Sequence, residues 1–491
     1  MRTIERRPPA RSWEGKPPGS YSSQARFALA MAAAKAAGTA SRMLGVGGGT
    51  SFPGAAARWV DPCVLQKAAA ATDARKVLVT GSNGKTTTCR MLAALAQAGG
   101  LEVAQNRTGS NLMQGVISAA VRATDMRGRT DAQLLLLEVD EATVGQVASA
   151  VRPDTLLVTN IFRDQLDRFG ELYAMARMLE AVIEAMPASA TVVLNGDDPL
   201  VASLAPGAPA RRLYYGIRAD AAGSTGQHVP EHAADTIRCV HCQHLLSYRV
   251  VQLSHLGDYR CENCGNARPG LDIAVTAVRP SPDGGSEVTI ETPAGTFPLR
   301  VPQPGVHNVY NAAAGLAGTL ALALPRPLDP ATTRHAMAGL RPAFGRLEEI
   351  RAAGQQVVLA FVKNPTAYNA TLREVLGRPG RKHVLAAHSN TVVDGEDFAW
   401  LWDVELEQLV PQLASLVISG TRAEEVALRF KYAGASPATT QVLHDRPAAL
   451  DAALNGTPPG EPLYIFAGYT PMRELRSIMQ RRGWAAPAWQ E

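Results

Sequence analysis

Four short apolar segments, each ending in a polar cluster, dominate the pattern of the first 200 residues. They are residues 76–80, 133–139, 155–159 and 191–194. Their length and apolar character predict buried β-strands. A glycine-rich loop follows the first segment, and an Ala- and Leu-rich helical segment, 89–98, follows the loop. This alternation of strand and helix predicts an α/β fold with a parallel sheet.

The polar clusters after these strands are candidates for one shared ligand site. They comprise residues 138–141, 160–167 and 195–198. Ligands of open parallel sheets bind beyond the carboxyl ends of the strands, so we expect the clusters to lie together. A carboxylate at this edge is a suitable ligand for Mg²⁺, and we favour Glu138 for this role. The alternative is that Asp140 or Asp164 only caps the next helix.

The loop after the first strand has the features of a phosphate-binding loop. Gly84 permits close approach of the backbone, Lys85 supplies a cation for phosphates, and Thr86 supplies a hydroxyl for Mg²⁺. The first glycine of the usual pattern is absent, because Val79 occupies its position. The loop lies between a predicted strand and a predicted helix, so we predict that it binds ATP.

Four of the six cysteines form two Cys-x-x-Cys pairs separated by 18 residues. They are Cys239, Cys242, Cys261 and Cys264. This spacing is typical of a zinc ribbon, in which two turns each present two thiolates to one ion. Four thiolates leave no position for a reactive water, so we predict a structural Zn²⁺.

The composition excludes a disordered, collagen-like or coiled-coil chain, and the distribution of charge disfavours binding to nucleic acid. The chain has 491 residues, enough for two to four domains, and its composition is that of a globular protein. The net charge is +5, but residues 1–26 hold four of these charges. The ribbon region 235–268 has a net charge of only +1, which disfavours a nucleic-acid partner.

The N-terminal region predicts a Pro-rich loose tail followed by an Ala-rich helix, residues 24–44. No apolar run reaches the roughly 18 to 20 residues that cross a bilayer. The longest, 27–34, is interrupted by Lys35. A short secretory signal is the alternative, but ATP-dependent chemistry favours a cytoplasmic protein.

Five motifs between residues 76 and 350 occur together in the order typical of the Mur ligase family. They are residues 80–88, 159–171, 195–198, 305–311 and 344–346. The chain therefore resembles these ligases, which use ATP to join amino groups to carboxylates. The resemblance implies an acyl phosphate, formed on a substrate carboxylate and then opened by an amine.

The resemblance also implies roles for individual residues. Lys85 and Thr86 would hold phosphate and Mg²⁺, and Glu138 would hold Mg²⁺. Asn308 and Arg346 would grip the nucleotide from the junction with the last domain. The nucleotide-binding set is completed by Gly81, Asn83, Gly84, Thr87 and Asn160.

The sequence differs from most Mur ligases at three places, and these differences narrow the resemblance to one group within the family. Gln165 stands where most Mur ligases have His, Arg177 stands where they have a carbamylated Lys, and residues 361–365 differ from the usual motif of the last domain. These features are similar to those of the MurT family, the synthetase subunits of lipid II isoglutaminyl synthase, which also carry a four-cysteine ribbon. Segments 393–403 and 419–434 resemble the last domain of that family.

Membership of this family would imply amidation of the D-glutamate α-carboxylate in the lipid II stem peptide, with ATP and ammonia. A glutaminase needs a nucleophilic Cys on a tight turn beside a His. Cys63 has no flanking glycines, and Cys89 lies in the helix after the phosphate-binding loop. We therefore expect a heterodimer with a GatD-like glutamine amidotransferase subunit.

In this family an aspartate of the synthetase is thought to complete the Cys-His pair of the partner. Asp394 is our choice, and Asp397 is the close alternative. The alternative interpretation is that Asp394 has no catalytic role and only forms a turn with Gly395.

The fold class that we predict is α/β, with three regions. Residues 1–45 form a basic tail and helix, and residues 46–304 form a Mur-type ATP-binding domain with a ribbon inserted at about 235–268. Residues 305–491 form a Rossmann-like C-terminal domain. We predict no transmembrane segment, and the basic tail suggests peripheral contact with the inner membrane face. Two other functions stay open: a self-sufficient ligase of the folylpolyglutamate type, and a zinc-ribbon NTPase that binds nucleic acid.

Overall fold

The computed structural model describes most of the chain. The described residues are 22–43, 51–106, 110–163, 172–222, 230, 234–281, 284–340, 345–391, 394–395 and 397–485. Most of the basic tail, together with Asp164, Gln165 and the start of the motif 344–346, lies outside them. Within the described part, every helix is too short or too polar to cross a membrane.

A sheet of nine strands forms the centre of the first half of the described chain. Its strands are β1 (Arg75–Thr80), β2 (Val103–Gln105), β3 (Leu134–Glu138), β4 (Thr155–Val158), β5 (Thr191–Asn195), β6 (Arg211–Ala222), β9 (Ile273–Pro280), β10 (Ser286–Thr292) and β11 (Gly295–Val301). They lie in the order β11-β10-β9-β6-β5-β4-β1-β3-β2. The seven strands from β9 to β2 in this order pair in parallel, and β10 and β11 extend the sheet antiparallel. The four strands predicted from the sequence are confirmed.

Helices cover both faces of this sheet, which explains why its strands are apolar on both sides. Leu78 and Leu135 point to a core that includes the N-terminal helices, and Val77 and Leu134 point to the opposite core. The helices of this half are Ser22–Met43, Phe52–Val60, Val64–Ala70, Lys85–Ala98, Met113–Ala123, Val144–Val151, Leu172–Glu184, Pro199–Ala202, Val306–Leu320 and Pro330–Ala338.

The cysteine-containing insertion lies between β6 and β9 and is built on the hairpin β7 (Ser247–Leu253) and β8 (Leu256–Arg260). Asp197, fully buried after β5, anchors it. The Asp197 carboxylate accepts hydrogen bonds from Arg268 Nη1 (3.0 Å), Tyr310 Oη (2.7 Å) and the Ile217 N–H (2.8 Å). Burial raises the pKa of Asp197, and Arg268 opposes this effect most strongly. The carboxylate thus ties the end of the insertion to the sheet.

Replacing Tyr310 by phenylalanine should destabilise the protein by about 1.5–3 kcal/mol, because it removes a hydrogen bond to a buried charged group. Urea unfolding followed by circular dichroism measures the loss. Tyr214→Phe is the matched control, since its hydroxyl makes only long hydrogen bonds, donating to Ala202 O (3.4 Å) and accepting from Arg212 Nη1 (3.5 Å). Equal stability of the two variants would contradict this role of Tyr310.

A second sheet of six strands forms the C-terminal part of the described chain. Its strands are β12 (Arg346–Ala352), β13 (Gln355–Phe361), β14 (Lys382–Ala387), β15 (Leu413–Ser419), β16 (Thr440–Val442) and β17 (Leu463–Ala467), in the order β12-β13-β17-β14-β15-β16. All neighbours pair in parallel except β12 with β13. The predicted Rossmann-like domain is therefore present. Its α-helices are Pro365–Leu376, Leu406–Leu409, Ala423–Tyr432, Arg446–Asn455 and Tyr469–Arg481, and its 3₁₀ turns are Ala399–Asp403, Val410–Gln412 and Pro437–Thr439.

The helices Val306–Leu320 and Pro330–Ala338 pack with the first sheet, although they lie beyond the expected boundary at residues 304 and 305. Val309, Leu316 and Met337 belong to the same core as the helix Lys85–Ala98. We therefore propose that the boundary between the two large domains lies between residue 340 and the start of β12.

Candidate functional site

The phosphate-binding loop lies at the carboxyl end of β1 and leads into the helix Lys85–Ala98. Gly81 and Gly84 have φ angles of 123° and 85°, in the region that favours glycine. A Cβ at Gly81 would lie 2.3 Å from Thr159 Oγ1, and one at Gly84 would lie 2.1 Å from Asn311 Oδ1. Both positions therefore require glycine. The loop is shorter than the loop of the usual phosphate-binding pattern, and Gly81 is its first glycine.

Asn160 holds the backbone of this loop from the end of β4. Its Oδ1 accepts a hydrogen bond from the Asn83 N–H (2.8 Å), and its Nδ2 donates to Asn83 O (3.1 Å). The Thr159 hydroxyl donates to the same carbonyl at 2.8 Å. Asn160 thus shapes the loop, and its contact with the nucleotide stays a prediction.

The first turn of the helix Lys85–Ala98 is suited to an anion. Its N-cap is Gly84, and no side chain of the described residues caps it, so its terminal N–H groups point toward the loop. Thr86 and Thr87 are partly exposed in this turn. Phosphate oxygens fit this donor set, and a hydroxyl beside them suits a hard cation.

Lys85 makes a buried ion pair that we did not predict from the sequence. Its Nζ lies 2.8 Å from Glu141 Oε2 and donates to Gly81 O at 2.5 Å. Burial alone would lower the pKa of Lys85, but Glu141, Asp140 and Glu138 outweigh it and raise the pKa. The lysine is therefore a fixed cation at the edge of the sheet. The sequence indicated this ion pair only through the presence of a second glutamate, Glu141, in the cluster 138–141.

Glu138 ends β3 and is buried near the loop. Its Oε1 accepts a hydrogen bond from Asn111 Nδ2 (3.2 Å), and its N–H donates to Asn106 Oδ1 (2.8 Å). Asp140 Oδ1 accepts the Ala142 N–H (3.2 Å) in the turn before the helix Val144–Val151, and the N-cap of that helix is Thr143, not Asp140. The carboxylate of Glu138 thus fits a metal ligand, and this role stays a prediction.

Two predicted nucleotide-binding residues lie at the domain junction. Asn308 is in the first turn of the helix Val306–Leu320, and its Nδ2 donates to Pro304 O (2.7 Å). Arg346 begins β12, with its guanidinium 5.2 Å from the centre of the Phe361 ring. His307 lies beside Asn308 in the chain. Burial lowers the pKa of His307 to about 4, and the charges of Arg346 and Arg373 add to this effect. Asn308 Nδ2 lies 3.0 Å from His307 Nε2, so Asn308 and the charge of Arg346 act on the same imidazole.

The C-terminal domain contacts the phosphate-binding loop directly through Asn364. Asn364 Nδ2 donates to Asn83 Oδ1 (3.1 Å), and Asn83 Nδ2 donates to Asn364 Oδ1 (3.4 Å). Asn364 also caps the helix Pro365–Leu376 through the Ala367 N–H. We did not predict this contact, since 281 residues separate the two asparagines.

A second junction contact is made by Arg163, which follows β4. Its N–H donates to Asp235 Oδ2 (2.8 Å), and its guanidinium pairs with Asp235 and, at 3.1 Å, with Asp403 Oδ2. Asp235 begins the insertion, and Asp403 belongs to the C-terminal domain. One arginine therefore links the nucleotide site, the insertion and the last domain.

The four predicted cysteines come together within the insertion, with their Sγ atoms all within 4.8 Å of one another. Cys239 lies 3.5 Å from Cys264, and Cys242 lies 3.4 Å from Cys261, sulfur to sulfur. Tetrahedral Zn–S bonds of about 2.3 Å place sulfurs roughly 3.8 Å apart, so the cluster fits Zn²⁺. The side chain of Asn263 and the His244 N–H lower the pKa of Cys242 to about 6, which favours the thiolate. Zinc itself stays a prediction.

Asp394 and Asp397 lie in different surroundings. Asp394 is partly exposed, and its carboxylate accepts the Thr470 N–H (2.9 Å) and the Thr391 hydroxyl (2.6 Å). Asp397 is exposed, and its Oδ1 accepts the Ala399 N–H (2.9 Å) at the start of the turn Ala399–Asp403. Asp397 thus stabilises a local turn, whereas Asp394 is held between the ends of two strands.

Two solved structures share this fold. The structure of a pseudomurein peptide ligase type C from Methanothermus fervidus matches with a TM-score of 0.64 and 19% identity, over 84% of this chain and 79% of that chain. The folylpolyglutamate synthase of Mycobacterium tuberculosis, complexed with ADP and AMPPCP, matches with a TM-score of 0.59 and 15% identity, over 94% and 96%. The Mur-type fold expected from the sequence is therefore confirmed.

Sequence similarity is more specific. Residues 79–268 match the Mur ligase middle domain, and residues 361–472 match the MurT ligase C-terminal domain. The chain is 28% identical over 438 residues to the MurT subunit of lipid II isoglutaminyl synthase (glutamine-hydrolysing) from Streptococcus pneumoniae, covering 89% of this chain and 94% of that protein. It is 30% identical over 405 residues to the Staphylococcus aureus subunit of the same name, covering 82% and 86%. Because this identity extends through both matched domains and most of both proteins, the chain belongs to the MurT family.

Proposed function

We propose that the chain amidates the α-carboxylate of D-glutamate in the stem peptide of lipid II, giving D-isoglutamine for peptidoglycan synthesis. A carboxylate oxygen attacks the γ-phosphate of ATP, which forms an acyl phosphate and releases ADP. Ammonia then attacks the acyl carbon and releases phosphate. The observation that carries this proposal is the phosphate-binding loop with Lys85, joined through Asn83 to a C-terminal domain of MurT type.

The residues at the loop would act by position and charge. Gly81 and Gly84 let backbone N–H groups approach the phosphates, and Lys85 would neutralise charge on the transferred group. Thr86 and Glu138 would hold Mg²⁺, which supplies further charge neutralisation at the phosphates. Asn308 and Arg346 would hold the nucleotide from the junction.

Closure of the junction would exclude water from the acyl phosphate, which hydrolyses when exposed. Asn364 contacts the loop at Asn83, and Asp403 pairs with Arg163, so the C-terminal domain contacts both the phosphate-binding loop and the segment after β4. These contacts support a role for the domain in covering the site.

The ammonia would come from a partner of the glutamine amidotransferase type, similar to GatD, in a heterodimer. The MurT relatives are named as subunits of a glutamine-hydrolysing enzyme. Burial raises the pKa of the Cys89 thiol, which makes it unsuitable as a nucleophile. Trp402 and Tyr432 are exposed, with ring centres 5.6 Å apart, and Trp402 lines the same surface cavity as Asp397. This aromatic pair would be a suitable part of the partner interface.

The test is amidation of lipid II by the co-expressed complex, followed by mass spectrometry, with glutamine or ammonium chloride as the nitrogen source. We expect ATP-dependent loss of about one mass unit on conversion of carboxylate to amide, from either source. A stable complex that amidates with neither would contradict the proposal. Phosphate release with a free amino acid in place of ammonia would favour a self-sufficient ligase.

We also propose that Asp394 completes the Cys-His pair of the glutaminase partner by orienting the histidine of that pair. Asp394→Ala should lower glutamine-dependent amidation by about a hundredfold or more, because the histidine loses its orienting carboxylate. Amidation with ammonium should continue, since it bypasses glutamine hydrolysis. Asp397→Ala is the matched control, and a larger loss in that variant would move the role to Asp397.

The substrate would place the enzyme at the inner face of the cell membrane, where lipid II is made. The positive charge of residues 1–26 supports contact with an anionic lipid surface. We propose a structural role for Zn²⁺ in the insertion.

A further inference from the structure

The carboxylate of Asp394 is held from two strands that are distant in sequence. Asp394 and Thr391 follow β14, and Thr470 follows β17, its parallel neighbour. Ala387 and Ala467 are paired at the ends of these strands, and the Gly468 N–H donates to Ala387 O (3.0 Å). After β14 the chain packs Phe398 and Leu401 on one face of the sheet, and after β17 it packs Leu475 and Met479 on the other face. The crevice at such a point is where ligands of α/β sheets bind.

Among the described residues, each oxygen of this carboxylate receives one donor. Thr470 N–H donates to Oδ1 at 2.9 Å, and the Thr391 hydroxyl donates to Oδ2 at 2.6 Å. The hydroxyls of Thr391 and Thr470 are 2.9 Å apart. The single hydroxyl proton of Thr391 is used on Asp394, so the Thr470 hydroxyl must be the donor between the two threonines. The result is a chain of hydrogen bonds from Thr470 through Thr391 to Asp394.

A simple turn does not explain this arrangement. The turn itself is closed by backbone, since the Asp394 N–H donates to Thr391 O at 2.8 Å. The contacts to Thr470 add nothing to the turn, but they fix the direction of the carboxylate. Each carboxylate oxygen accepts about two hydrogen bonds, so capacity remains for an outside donor. Asp394 is partly exposed, which lets such a donor reach it.

We infer that Thr391 is a positioning residue for Asp394, and that the Thr470 hydroxyl supports Thr391 in this task. The inference rests on the proposed role of Asp394 with the glutaminase partner. A carboxylate that orients an imidazole must itself be held, because misplacement of a catalytic group by about 1 Å can cost about a hundredfold in rate. The pair of threonines supplies this restraint from a rigid sheet.

The position of Gly468 gives a second way to move the carboxylate. A Cβ added there would lie 3.2 Å from Asp394 Oδ1, closer than an ordinary contact. Gly468 lies outside the left-handed region, with φ −64°, so alanine is compatible with the backbone. Gly468→Ala should therefore displace Asp394 without removing any hydrogen-bond donor.

The experiment compares glutamine-dependent with ammonium-dependent amidation of lipid II in the complete complex. Thr391→Val should lower the ratio of the two rates by about tenfold to a hundredfold. Thr391→Ser should restore the ratio, because it restores the hydroxyl. Thr470→Val should lower the ratio less, since its backbone N–H still binds Asp394, and Gly468→Ala should lower it also. Thr421→Val is the control, because that hydroxyl donates to Asn390 Oδ1 and not to Asp394.

Each result has a separate meaning. An unchanged ratio in Thr391→Val, or no recovery in Thr391→Ser, would overturn the inference. Equal loss with both nitrogen sources would also overturn it, since the threonine would then act on the synthetase or on folding. Failure of the unmodified complex with both sources would instead contradict the proposed function.

Discussion

Replacing Lys85 by alanine is expected to lower ATP-dependent amidation by about 10²- to 10³-fold or more. Lys85 is the buried cation of the phosphate-binding loop, 6% exposed, and its ammonium group lies at the carboxyl edge of the sheet. Without it, the charge that develops on the transferred phosphate has no side-chain cation in the loop. Release of ADP by the complex with lipid II and ammonium chloride measures the effect.

The variant needs a control for stability, because it removes the cation that pairs with the buried carboxylate of Glu141. Breaking such a buried pair costs about 3–5 kcal/mol. The double variant Lys85→Ala with Glu141→Gln also removes the buried negative charge, so we expect it to recover thermal stability but not activity. Lys76→Ala, at the opposite end of β1, should retain activity. Amidation at the normal rate by a folded Lys85→Ala variant would refute the assignment of the loop.

Replacing Cys239 by serine is expected to abolish zinc binding and to unfold the insertion. Cys239 is fully buried in the small core that it shares with Cys261, Leu246 and Tyr259, and this core has few other apolar side chains. Metal binding supplies folding free energy in such small sites, so its loss should lower the unfolding temperature and expose the insertion to protease. Metal analysis together with a thermal scan measures both effects.

Cys63→Ser is the matched control, because that cysteine is exposed and lies outside the cluster. The variant should keep one zinc ion per chain and the normal unfolding temperature. A Cys239→Ser variant that stays folded but loses amidation would show that the insertion has a role beyond structure. Since Asp235 pairs with Arg163 beside the nucleotide site, such a role would have a direct route to the active site.

Local motifs were predictable because their chemistry depends on residues close together in the chain. The phosphate-binding loop requires glycines, a lysine and a threonine within a few residues, at the change from strand to helix. The structure places Gly81 and Gly84 at positive φ, in that order. Each Cys-x-x-Cys pair is a single turn in the same way. Spacing alone therefore located both motifs.

The partners of these residues were not predictable from spacing. Glu138, Asp140 and Glu141 lie within one turn, and only the packing of β3 beside β1 selects Glu141 for Lys85. Asn364 reaches Asn83 across the domain junction, and the hydrogen bonds around Asp394 need β14 and β17 side by side. Such contacts depend on strand order, which does not follow the order of the chain.

The sequence by itself determined the α/β fold class, the phosphate-binding loop, the four-cysteine cluster and the resemblance to MurT proteins, because these follow from short-range patterns. Only the tertiary structure decided which carboxylate holds Lys85, how the last domain meets the loop, and which threonines hold Asp394. The physical reason is that burial and hydrogen bonding act between residues brought together by the sheets. For Asp394 and Thr470, that contact joins positions 76 residues apart.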